Sequence, residues 1–165
     1  MARDESLRAE LLRMAEEDQD ARRALDWDHP PLEDSDALDR LRAVDERNTA
    51  RMRKIVEERG WPGTALVGED GATAAWLLAQ HTPDRAFQRR CLTLMEEAVR
   101  RGEADLANLA YLTDRVLLFE GKPQRYGTQL RVESDVWVPA PIEDEERVDE
   151  RRHEIGLPPL ADYIK

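Results

Sequence analysis

The chain reads as a mainly α protein: a compact bundle of five to six helices with a small β-hairpin near its C-terminal end. Three observations predict this. Apolar residues recur at three- and four-residue spacing through most of the sequence. Pro and Gly clusters cut that pattern into helix-length pieces. A single short stretch, after Pro123, switches to strand-like alternation. Helices do not alternate with buried parallel strands, so a doubly wound fold is not expected.

The first helix is expected over 6–25, with Leu7, Leu11, Met14, Asp18 and Ala21 on one face; Asp18 is a polar break in that apolar stripe. Trp27-Asp28-His29-Pro30-Pro31 ends it, because proline disfavours helix in the residue before it. A second helix is expected from a Ser35 or Asp36 cap to Arg59, its stripe of Leu38, Leu41, Met52 and Ile55 interrupted by Asp45 and Asn48. Those two interruptions either line a polar cavity or mark an exposed stretch.

Gly60-Trp61-Pro62-Gly63 is a stop, and 64–71 is expected as loop with Ala65-Leu66-Val67 turned inward. The third helix begins after Gly71. Ala72, Ala75, Trp76 and Ala79, beside Leu77 and Leu78, make it apolar over so much of its surface that it belongs in the middle of the bundle. A bend at His81-Thr82-Pro83 follows, with Pro83 expected in the first turn of the fourth helix, which carries Phe87, Cys91, Leu94, Met95 and Ala98 to Arg101-Gly102. The fifth helix is expected over 103–119. Thr128–Val132 and Val136–Val138, separated by Glu133-Ser134-Asp135, form the hairpin. A charged last helix is expected over 143–156, with Leu157, Leu160, Tyr163 and Ile164 of the tail docking on the body. The domain reading is an N-terminal helix and linker (1–34), a core (35–141) and a charged C-terminal helix and tail (142–165).

Bulk numbers narrow the function. A chain of 165 residues fits one domain with a proper core. Its net charge of -11 argues against nucleic acid or an anionic membrane as partner, since phosphate neutralisation needs a basic face. One cysteine, Cys91, rules out an internal disulfide, and it is expected in the core. The charged N-terminus has no long apolar run, so no signal peptide or membrane span is indicated and a cytoplasmic location is expected.

The chemistry-bearing groups cluster in two stretches, 71–88 and 124–129, expected to face a common pocket. His81 ends a helix at a turn and is the side chain best suited to move protons near neutral pH. The C-terminal end of a helix favours its protonated form. Asp84 and Asp114 are the candidate acids that assist it. Asp84 also suits an ordinary first-turn acid, and Asp114 also suits a structural ion pair with Arg125, Arg131 or His81. Gln80, Gln88, Arg115, Gln124, Tyr126, Thr128 and Gln129 are the candidate substrate-binding groups, amides and hydroxyls that hydrogen-bond a polar ligand. Gly127 frees the backbone between them. Trp61 and Trp137 are candidate pocket walls and Trp76 a core residue. The three histidines, His29, His81 and His153, are too far apart for metal-ligand spacing, and no metal or organic cofactor is expected.

Gly60-Trp61-Pro62, the Ala-rich helix ending Gln80-His81, Asp84 with Phe87-Gln88, Leu112 through Arg115, and Gln124-x-Tyr126-Gly127-Thr128-Gln129 together resemble an uncharacterised bacterial domain family, frequent in actinomycetes. The resemblance covers 38–139. It implies a shared polar site at these positions and no particular substrate.

Three functions follow. The first is a small cofactor-independent enzyme acting on a polar small molecule by acid/base chemistry (hydrolysis, elimination or cyclisation). The second is a non-catalytic binding or regulatory module using the same pocket. The third is a helical interaction module whose acidic last helix docks a basic partner or a second copy as a homodimer.

Overall fold

A computed structural model describes residues 2–164. Five long helices form the body: α1 (Glu5–Arg23), α2 (Ser35–Arg59), α3 (Thr64–Gln80), α4 (Arg85–Arg100) and α5 (Leu106–Phe119). An antiparallel hairpin follows, β1 (Leu130–Glu133) with β2 (Val136–Pro139). A 3-10 turn (Glu145–Arg147) then leads into the short helices α6 (Val148–Glu154) and α7 (Leu160–Tyr163). Among the described residues no helix is long and apolar enough to cross a membrane.

Four helices start on an aspartate whose carboxylate accepts the free amide three residues on: Asp4 from Leu7 (2.9 Å), Asp34 from Ala37 (3.0 Å), Asp84 from Phe87 (2.9 Å) and Asp105 from Asn108 (2.8 Å). Asp34 therefore caps α2 in place of the expected Ser35 or Asp36. Pro83 stands one residue outside the cap of α4, not inside its first turn.

α3 is the central element and packs against α1, α2, α4 and α5. Its buried Gly71, Ala72, Ala74, Ala75 and Ala79 are small, which lets neighbouring helices come close. Leu7 and Leu11 of α1, Met52 and Ile55 of α2, Phe87, Cys91 and Met95 of α4, and Leu112 and Val116 of α5 fill the core around it. Burial pushes the Cys91 thiol up to about 12, which keeps it inert at neutral pH. One expectation fails here. Residues 64–67 are helical rather than loop, and the chain kinks at Gly68, whose φ of 77° and ψ of 172° only glycine adopts readily.

The hairpin turns through Ser134 and Asp135, both at positive φ (51° and 61°), the geometry whose twist matches the paired strands. The tail docks as α7, with Leu160 and Tyr163 half-buried and Ile164 left exposed.

Candidate active site

The C-terminal end of α3 delivers His81 to a cavity of about 480 Å³. His81 is the C-cap residue, its backbone N–H donating to the Leu77 carbonyl at 3.1 Å. Its ring turns toward α1. Nδ1 lies 2.9 and 3.0 Å from the two carboxylate oxygens of Asp18, which is fully buried. A carboxylate only accepts, so Nδ1 carries the proton, and in the neutral ring Nε2 keeps its lone pair. Nε2 makes no hydrogen bond to the described residues.

A second layer holds Asp18. Arg22 Nη1 donates to Asp18 Oδ1 at 2.7 Å and to Asp45 Oδ1 at 3.1 Å, while Arg22 Nη2 donates to Asp45 Oδ2 at 3.2 Å. Gln19 Nε2 donates to the other Asp18 oxygen at 3.2 Å. Burial is the main reason the His81 pKa lies below its ordinary value, and the charges of Arg22 and Arg115 push the same way; the Asp18 hydrogen bond offsets only part of this. The ring is therefore neutral near pH 7. Burial likewise raises the Asp45 carboxyl above its ordinary range.

A chain of hydrogen bonds builds the opposite wall. Asp114 on α5, fully buried, accepts the backbone N–H of Arg125 (2.8 Å), Tyr126 (3.1 Å) and Thr128 (3.1 Å) and the Thr128 hydroxyl (2.8 Å). Thr128 Oγ1 in turn accepts from Gln129 Nε2 at 3.0 Å. Gln129 Oε1 accepts from Arg115 Nε at 2.9 Å, and Arg115 Nη1 donates to the Gln80 carbonyl at 2.7 Å. The loop after α5 is thus wound around one carboxylate, and Arg115 is fixed beside His81.

Of the candidates named from sequence, His81, Gln80, Arg115, Thr128 and Gln129 line the cavity. The others do not. Asp84 caps α4 and pairs with Arg53, so it does not orient the imidazole; Asp18 does. Asp114 meets backbone amides and a hydroxyl rather than a cation or the cavity. Gln88, fully buried, donates to the Ala79 and Gln80 carbonyls (both 3.1 Å) and closes the end of α3. Gln124, also fully buried, ties the Gln129 and Ala140 carbonyls together at 2.9 Å. Tyr126 lies on the outer side of the loop, where the Arg125 guanidinium sits over its ring. Trp61 lines a separate cavity with Arg59, Arg101 and Glu103.

Sequence reasoning missed Tyr111 and Tyr163 as lining residues and Asp18, Arg22 and Asp45 as the network behind His81. The signal for Asp18 and Asp45 was their place on otherwise apolar helix faces. Trp76 packs against the core, as expected, and also lines the cavity, meeting Tyr111 edge-on at 5.9 Å. Trp137 does wall it. Its Nε1 donates to the Trp27 carbonyl at 2.6 Å, and the two indoles stand 6.2 Å apart, tying the linker after α1 to β2. The tail contributes Tyr163, whose hydroxyl donates to the Thr128 carbonyl at 2.7 Å. Arg152, fully buried, donates to the Pro158 and Tyr126 carbonyls and anchors that tail.

Fold and site together define a helical-bundle domain with an aromatic-walled cavity, a carboxylate-bound imidazole on one side and a guanidinium on the other. The chain belongs to a family of unknown function, DUF6624, which matches residues 5–165. That span takes in α1 with Asp18 and the tail with Tyr163, both outside the 38–139 stretch that carried the resemblance. No curated protein and no solved structure matches the chain.

Proposed function

We propose that this chain is a small enzyme that acts on a polar small molecule by general acid/base chemistry, with His81 Nε2 as the base. One observation carries the reading. A neutral imidazole, held by a buried carboxylate at 2.9 Å, has its second nitrogen unbonded at the edge of a cavity of ligand size. Asp18 holds the ring in the Nδ1–H tautomer and would stabilise the imidazolium formed once Nε2 takes a proton. The proton comes from substrate carbon or hydroxyl in an elimination or cyclisation, or from water in a hydrolysis. His81 then returns it to the leaving group or product. A structural histidine would need neither the free Nε2 nor the layered Asp18–Arg22–Asp45 support.

The test is turnover of a panel of small esters, lactones and β-substituted acids by the wild-type chain and by H81Q and D18N, with the fold of each checked by circular dichroism. Both folded variants are expected to lose about 100- to 10,000-fold in kcat/KM on any substrate the wild type turns over. Turnover untouched by either change would rule out the base; ligand binding without turnover would leave a binding module.

A further inference from the structure

The cavity is lined by a guanidinium, Arg115, that forms no ion pair with the described residues. Arg115 Nε and Nη1 donate to Gln129 Oε1 and to the Gln80 carbonyl, both neutral acceptors. No carboxylate among the described residues forms an ion pair with it. Its Nη2 and the free side of Nη1 have no acceptor among the described residues. The contrast is with the other arginines that are not fully exposed, Arg8, Arg22, Arg51, Arg151 and Arg152, in a sequence with 36 acidic against 25 basic residues. Arg22, on the far side of His81, is paired twice, and Arg8, Arg51 and Arg59 on the surface are all paired. Arg151 and Arg152 also lack a carboxylate, but Arg151 donates to the Arg125, Glu143 and Asp144 carbonyls, and Arg152 donates to two carbonyls under the Tyr163 ring, its Nη2 buried without a partner; neither lines this cavity. A shielded guanidinium needs an anion or dense hydrogen bonding, and burial already pushes the Arg115 pKa down to about 10.

The rest of the cavity is flat and aromatic. Three of the chain's four tryptophans, Trp27, Trp76 and Trp137, line it together with Tyr111 and Tyr163. Such walls suit a planar apolar body. Arg115 is bonded to the carbonyl of Gln80, the residue just before His81, so a group held by Arg115 shares the cavity that His81 lines.

We propose that Arg115 anchors the carboxylate of an aromatic monoanion whose ring packs among Trp76, Tyr111 and the Trp27–Trp137 pair. The fork of a guanidinium matches a carboxylate in geometry. One guanidinium faces the cavity and the Asp18 and Asp45 carboxylates lie behind His81, so a monoanion fits better than a phosphate dianion. That this ligand is also the substrate rests on the reading of His81 as base; the binding does not.

Titration calorimetry with benzoate and indole-3-acetate against benzamide and indole-3-acetamide, with phenyl phosphate as the competing oxyanion, tests it. The wild-type chain is expected to bind the carboxylates at least about tenfold more tightly than the amides and more tightly than phenyl phosphate. R115Q is expected to lose the carboxylate preference and R115K to keep part of it. Equal affinity for acid and amide, no heat from any of them at millimolar concentration, a preference for the phosphate, or an unchanged preference in folded R115Q would each overturn the proposal. Should R115Q fail to fold, the wild-type comparison alone decides. Carboxylate binding with no His81-dependent turnover would sink the base and leave the anchor standing.

Discussion

Asp18 and His81, 63 residues apart in the chain, are joined at 2.9 Å across the contact between α1 and α3. The packing of two helices, not local sequence, sets the tautomer of the imidazole. Replacing Asp18 with Asn puts a donor where an acceptor stood, so the ring is expected to turn over or switch its proton to Nε2. Binding of a cavity ligand should persist while turnover falls by about 100- to 10,000-fold. Comparing calorimetry with kinetics on the same variant checks this split.

The pH dependence follows from the lowered His81 pKa. The free base is the active form, so kcat/KM is expected to be flat above its ordinary value near 6.5 and to fall on the acid side. Stability moves in the same direction. The folded state resists the proton that the unfolded state accepts below about 6.5, so His81's contribution is complete above that value and is lost as pH falls toward and through the folded pKa. Urea midpoints from pH 8 to 5 should drop in the wild type and drop less in H81Q.

Arg22 sits between two shielded carboxylates, its side chain 17% exposed against 1% for Asp18 and 13% for Asp45. R22M removes the shared cation and leaves Asp45 without its guanidinium and Asp18 with only His81 and Gln19. A loss of about 3–5 kcal/mol is expected by urea unfolding. In the double variant R22M/D45L the loss should shrink, because one stranded charge has gone.

Asp114 is the pin of the loop after α5. D114N replaces two acceptor oxygens with one and turns an amide toward backbone N–H groups. About 2–4 kcal/mol of stability should be lost. Hydrogen exchange should quicken first at the Arg125, Tyr126 and Thr128 amides, and the cavity should loosen because Thr128 and Gln129 hold Arg115.

Gly127 makes the tight turn within that loop at φ 68°. A Cβ there would lie 2.9 Å from Leu160 Cδ1 of α7 and 3.2 Å from Ile142 Cδ1. G127A is expected to cost about 1–3 kcal/mol, from backbone strain and a displaced α7. Fluorescence of the cavity tryptophans should shift as Tyr163 moves with it.

Much of the fold was legible because helix physics is local. Apolar spacing, Pro and Gly breaks and the alternating 128–138 stretch each reflect forces acting within a few residues. The site was legible only in part. His81 stood out as the one histidine at a helix end inside an apolar region. Its partner was sought nearby, at Asp84, yet an N-cap side chain points along its own helix toward the Phe87 amide. Asp18 and Asp45 were visible as polar breaks in apolar stripes, but which break meets which is decided by helix packing. The tail misled by composition: among its charges, Arg152 is fully buried and Tyr163 reaches the cavity. Amides such as Gln88 and Gln124 look like ligand-binding groups until the unsatisfied carbonyls they close are known.

The most direct test is nitrogen-15 NMR of the His81 ring through a pH titration of the wild-type chain and D18N. The Asp18 contact together with burial predicts a neutral ring at pH 7 with the proton on Nδ1, an unprotonated Nε2, titration below the ordinary histidine value, and a changed tautomer balance in D18N. A ring that is cationic at pH 7, or neutral with its proton on Nε2, would contradict His81 as a base held ready by Asp18.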